Sequence, residues 1–103
     1  MIPALVEERR RELAELCRRH HVRRLELFGS AAAGRFDPAH SDLDFLVEFN
    51  ELPPTDYARS YFGLLHDLED LFARSIDLVT VRSLTNPYLL REIERDRTVL
   101  YAA

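Results

Sequence analysis

Ser41-Asp42-Leu43-Asp44-Phe45-Leu46-Val47-Glu48-Phe49 is the stretch on which the reading of the fold turns. From Leu43 to Phe49 it is β-compatible and nearly continuously apolar, the pattern of a strand buried on both faces in a sheet covered by helices. Strand side chains alternate, so Asp42 and Asp44 point one way and Leu43 points oppositely, into the core. Two like charges so close repel unless something offsets them. A divalent cation does so, and Mg2+ takes oxygen ligands from one or two carboxylates plus substrate phosphates.

On the N-terminal side of this strand, Val22 to Phe28 reads as another strand, ended by Gly29. The turn Gly29-Ser30-Ala31-Ala32-Ala33-Gly34 follows, with Ser30 expected to begin a short helix. Glycine lets backbone approach a ligand closely, helix N-terminal amides bind phosphate oxygens, and the Ser30 hydroxyl supplies a further donor. A triphosphate fits between this turn and a metal on the carboxylates.

On the C-terminal side, Asn50 to Pro54 reads as a loop in which Pro53-Pro54 stops any regular element. Asp56 opens a long helix, with Tyr57, Tyr61, Leu64, Leu65, Leu68, Leu71 and Phe72 at helical intervals. Ile76 to Val81 is a third strand, rich in β-branched residues. Asp77 stands inside it between apolar neighbours, where a carboxylate is costly unless paired, metal-bound or at a sheet edge. If this strand lies beside that of Asp44, three carboxylates converge. That arrangement suits two metals about 3.5–4 Å apart, with one carboxylate free to accept the proton of an attacking hydroxyl.

The ends complete the pattern. A first helix is expected from about Pro3 to Arg19, with Leu5, Val6, Leu13, Leu16 and Cys17 as its apolar stripe, interrupted at Arg9 and Arg10. Asn86-Pro87 reads as an N-cap followed by proline at the first helical position of a helix ending near Asp96. Thr98 to Tyr101 forms a last short strand. The order α-β-(short α)-β-α-β-α-β makes a small α/β (α+β) fold, a mixed sheet flanked by helices, with residues 1–103 as one domain.

Composition narrows the classes. A chain of 103 residues, 47% hydrophobic and 31% charged, has room for one core and little beyond it. Its net charge of −4 argues against direct gripping of a nucleic-acid backbone, yet is compatible with recruiting phosphates through cations. No apolar run approaches bilayer length, and the charged start at Glu7-Glu8 is unlike a secretory signal. The single Cys17 is expected to be a buried structural thiol, which fits a reducing cytoplasm.

Each piece has an ordinary structural explanation: Gly-Ser as a turn with a capping serine, Ser-Asp-x-Asp as a turn or solvated strand end, Asp77 as an edge residue. Together and in this order they are specific. Phe28-Gly29-Ser30-x-x-x-Gly34, then Ser41-Asp42-Leu43-Asp44-Phe45-Leu46-Val47, then Ile76-Asp77-Leu78-Val79, resembles the nucleotidyltransferases of the DNA polymerase β superfamily. The short length resembles the minimal branch, the MntA-like antitoxins that pair with HEPN-domain toxins, and the resemblance extends to Asn86-Pro87-Tyr88 and Val99-Leu100-Tyr101. It implies metal binding by Asp42 and Asp44, completion of the site by Asp77, and nucleotide phosphates held by Gly29 and Ser30, with Gly34 and Ser41 alongside. It further implies two Mg2+ ions, ATP as substrate, and a HEPN ribonuclease toxin as partner in a hetero-oligomer. The reaction implied is transfer of AMP to a tyrosine of that toxin. In one respect the chain departs from the pattern: many members carry arginine before the second glycine, where this chain has Ala33, with Arg35 after Gly34. That departure bears on the grip on phosphate rather than on metal.

Two other functions compete. An antitoxin could neutralise its toxin by occupying its surface, with little or no catalysis, and Ala33 is the feature that favours this. Transfer of a nucleotide to a small molecule ranks last, because it needs an acceptor-binding domain. Other polar residues carry ordinary expectations. Arg9-Arg10-Arg11 is a salt-bridged face, and His20-His21 end a helix. His40 is a solvent-exposed loop residue, His66 is structural, and Tyr57, Tyr61 and Phe62 are mostly core.

Overall fold

The computed structural model describes residues 2–39 and 41–103. Four strands, β1 (Val22–Phe28), β2 (Leu43–Phe49), β3 (Ile76–Thr80) and β4 (Thr98–Ala102), form one sheet in the order β3-β2-β1-β4. β1 is antiparallel to both β2 and β4, while β2 and β3 run parallel, so the sheet is mixed as expected. The helices are α1 (Ala4–Glu7), α2 (Arg10–Arg19), α3 (Gly29–Ala32), α4 (Pro54–Phe72) and α5 (Pro87–Asp96), with a 3-10 turn at Val81–Ser83.

Strand alternation divides the core. Leu25 and Leu27 of β1, Leu43, Phe45, Val47 and Phe49 of β2, and Leu78 of β3 pack under α2 and α4, which contribute Leu13, Leu16 and Cys17, and Leu64, Leu68 and Phe72. Phe45 and Phe72 stack with centroids 6.0 Å apart. The opposite face carries a smaller cluster, Phe28, Leu46 and Ile93, with Val79, Leu84 and Leu89 against it. α5 covers only this part of that face, and Asp44 and Asp77 lie on the same side of the sheet. Cys17 is fully buried, and burial pushes its thiol pKa up to about 12.

α2 and α4 are clamped where His20, at the C-terminal cap of α2, places Nε2 2.6 Å from Asp67 Oδ2. Its ring lies so close to Gly63 that a Cβ there would come within 2.7 Å of His20 Cε1. Asn86 caps α5 as expected, its side chain accepting from Tyr88 N at 2.9 Å.

Several expectations change, among them the start of α3, at Gly29 rather than Ser30, and the end of β4, at Ala102 rather than Tyr101. The first helix is broken at Glu8–Arg9, where the stripe was interrupted: Arg9 leaves helical geometry (φ −108°, ψ 15°). The arginines there make surface pairs, Arg9 with Glu12 at 3.0 Å and Arg10 with Glu7 at 3.6 Å. α4 opens at Pro54 rather than Asp56, because proline at the first helical position loses no intrahelical bond. β3 ends at Thr80, and Val81 turns away into the 3-10 segment. Phe62 is not core but 57% exposed, while Tyr57 and Tyr61 pack against the core. His66 is exposed on α4, 3.7 Å from Glu69. His40 lies outside the described residues.

Candidate active site

Three strand ends meet at one edge of the molecule. Phe28, the last residue of β1, pairs with Asp44, and Asp44 pairs with Asp77 across the parallel ladder. Two residues far apart in the chain therefore stand side by side on one sheet face. Gly29 follows Phe28 with φ 72°, a conformation favoured by glycine. A Cβ at this position would collide with Asp44 Oδ2. The positive φ and the missing side chain thus let the start of α3 sit directly on the Asp44 carboxylate.

Asp44 is half-buried, and its pKa is raised to about 6. Burial is the main cause, followed by the charges of Asp77 and Asp42 and by a hydrogen bond with the Asp77 carboxyl. Asp42 precedes β2, is exposed, and acts on Asp44 through its charge. Among the described residues no three His, Cys, Asp or Glu side chains are gathered tightly enough to cage a metal. The protein offers an open half-site, the Asp44–Asp77 pair with Asp42 at its rim. This fits a hard cation such as Mg2+, which keeps positions for water and phosphate and would relieve the crowding that raises Asp44.

The remaining predicted residues serve the turn and the loop behind it. Ser30 is the second residue of α3 and is partly buried. Gly34 (φ 78°) ends α3 in a Schellman motif: Arg35 N donates to Ser30 O at 2.8 Å. Its glycine character thus has a conformational cause. Ser41 Oγ accepts from Asp37 N at 3.0 Å, and Ser41 N donates to Asp37 O at 2.8 Å, so this hydroxyl is engaged in its own loop. The structure brings together Gly29, Asp44 and Asp77, while Gly34 and Ser41 shape the segment leading to Asp42. Ala33 is the C-cap of α3, and Arg35 is exposed.

Two residues near the site, Glu26 and Arg74, had not been singled out from the sequence, and a third, Tyr61, had been read only as core. Glu26 is 1% exposed on the face that carries Phe28 and Asp44. It is neutralised by Arg97 (Nη2 to Oε2, 2.6 Å) and Arg24 (Nε to Oε1, 3.0 Å). Tyr61 donates to the Leu78 carbonyl at 2.7 Å, and its pKa is raised by burial and by the nearby Asp77 charge. Arg74 reaches from the start of β3 to the loop before Asp42. Glu26 was recognisable by the same signal as Asp77, a carboxylate between apolar strand residues; Tyr61 carried a signal for core only, and Arg74 carried none. A separate cavity of about 270 Å3, lined by Glu48, Phe49, Tyr57, Val81 and Arg82 among others, lies at the far end of β2 and includes none of the predicted site residues.

Residues 10–100 match the nucleotidyltransferase domain family. A Methanocaldococcus jannaschii protein assigned as a protein adenylyltransferase is 34% identical, over 82% of this chain and 91% of that protein. A solved structure assigned as a minimal nucleotidyltransferase is 35% identical, covers 95% of both chains, and superposes with a TM-score of 0.71. A chain in a crystal structure of the MntA toxin–antitoxin system, in a mutant form, is 25% identical with a TM-score of 0.65, over 90% of this chain and 72% of that one.

Proposed function

The chain belongs to the nucleotidyltransferase domain family, and from that premise we propose that it is an antitoxin that transfers AMP from ATP to a hydroxyl of a toxin protein. The observation that carries this reading is the pairing of Asp44 with Asp77 beneath Gly29, which sets a carboxylate pair against the Gly29-Ser30 turn. The relative assigned as a protein adenylyltransferase supports a protein acceptor, and the MntA toxin–antitoxin structure supports a toxin as that protein. The family resemblance points further, to a tyrosine of a HEPN ribonuclease.

Asp42 and Asp44, with Asp77, would hold Mg2+, which when bound neutralises phosphate charge and stabilises the attacking and leaving oxygens. The amides at Gly29 and Ser30 orient the phosphates. Asp77, exposed on the edge strand, accepts the proton of the acceptor hydroxyl. The acceptor oxygen bonds to the α-phosphorus of ATP, the bond from that phosphorus to the bridging oxygen breaks, and diphosphate departs with the electron pair. A phosphodiester-linked AMP adds bulk and negative charge to the toxin, which opposes RNA binding there.

Ala33 favours a second reading, inhibition by binding alone, because no arginine precedes Gly34 to hold phosphate. Incubation with ATP, Mg2+ and the purified toxin, followed by intact-mass measurement of the toxin, separates the two. The proposal expects the toxin to gain AMP-sized increments, absent with Asp42→Asn. An unmodified toxin that is nevertheless inhibited in a complex would establish the second reading instead.

A further inference from the structure

We propose that Arg74 is a positioning residue that fixes the Asp42-bearing loop against the Asp77-bearing strand, so that the metal–nucleotide site is preformed. The inference rests on the reading of Asp42 and Asp44 as metal-holding residues. Arg74 follows Ala73, which caps α4 in the left-handed conformation (φ 51°), and it stands three residues before Asp77. Its Nη1 donates to Pro38 O at 3.1 Å and lies 3.4 Å from Ser41 O, the carbonyl directly before Asp42. Its Nε lies 3.5 Å from Phe72 O. The guanidinium also sits 5.1 Å from the centre of the Phe36 ring, and Phe36 packs against the main core.

One side chain thus bridges the two segments that deliver Asp42 and Asp77. Among the described residues the loop it reaches is mostly exposed; bonds within it include Asp37 N to Ser41 Oγ and Ala39 N to Asp37 Oδ1 (2.9 Å), and Phe36 seats its start on the main core. Those bonds shape the loop, and Arg74 ties its later part, Pro38 to Ser41, to the segment that leads into β3. A guanidinium that reaches three carbonyls through Nη1 and Nε while lying over a ring does what lysine's single point charge performs only in part.

A loosened loop spends only a fraction of its time in the competent arrangement. Apparent affinity for the metal–nucleotide falls by that fraction, while turnover at saturation is kept. The test uses the full chain, Mg2+ and a non-hydrolysable ATP analogue in calorimetry, and ATP with the toxin in steady-state kinetics. Arg74→Met is expected to weaken analogue binding and raise the KM for ATP by about tenfold, with kcat within about twofold of wild type. Arg74→Lys is expected to fall between, and it carries the test if Arg74→Met does not fold. Wild-type affinity in the folded variant, or a loss confined to kcat, overturns the inference. Asp42→Asn, measured alongside, keeps the two claims apart. If it abolishes Mg2+-dependent binding while Arg74 variants bind normally, only the Arg74 role fails. If Asp42→Asn binds like wild type, the site reading itself fails.

Discussion

Asp44 and Glu26 are carboxylates on the same sheet face, and their partners separate their roles. Glu26 is closed in by Arg97 and Arg24, whereas Asp44 faces two more carboxylates. Folded Asp44 holds its proton more tightly than an unfolded carboxyl, with a pKa of about 6 against 3.8. The metal-free protein therefore loses stability as pH rises from about 4 through 6. Asp44→Asn removes that loss. In chelator at pH 7.5 the variant should unfold at a higher temperature than wild type, by the equivalent of about 1–2 kcal/mol after allowance for solvent screening, and the gain should vanish at pH 4. Added Mg2+ should raise the melting temperature of wild type but not of Asp44→Asn. Glu26 behaves oppositely, because removing its partner leaves a buried charge. Arg97→Met should cost about 2–3 kcal/mol in urea unfolding, less than a fully broken pair because Arg24 remains, and Glu26→Leu combined with Arg97→Met should recover part of it.

At the scale of elements, the junction between α4 and β3 carries a strained residue. Ala73 takes φ 51° where glycine is the usual occupant. Ala73→Gly should stabilise by about 0.5 kcal/mol, the relief of left-handed strain exceeding the added freedom of the unfolded chain. A rise of a few degrees in melting temperature would show it. The bounds of β1 and β2 and the Asn86 cap were legible in the sequence, because strand alternation, glycine and capping chemistry are local. The parallel partnership of β2 and β3 was legible only as a condition: Asp77 could have been explained by the sheet edge alone, where it does lie, and its place beside Asp44 needed the fold. The break at Arg9 and the early start of α4 had local signals, the interrupted stripe and a proline suited to the first helical turn, that a helix reading by period alone passes over. The reach of Arg74 depends on what the rest of the fold presents to that segment. Glu26 shows the limit of the signal that found Asp77: a carboxylate in an apolar strand marks a demand for a partner, and only the fold says whether that partner is an arginine or another acid.

At the scale of the molecule, α5 covers one part of the site face and leaves the strand ends with Asp42 and Asp77 exposed. Among the described residues no helix is long and apolar enough to cross a membrane. The two halves of the site, the turn at Gly29-Ser30 and the carboxylates, come from different strands and meet only in the folded chain. The claim that they form one metal–nucleotide site is most directly tested by a crystal structure with Mn2+, located by its anomalous signal, and a non-hydrolysable ATP analogue. The expected result is metal on Asp42 and Asp44 beside Asp77, with the phosphates against Gly29 and Ser30. An analogue bound elsewhere, for example in the cavity by Tyr57 and Arg82, with no metal on the aspartates, would contradict it.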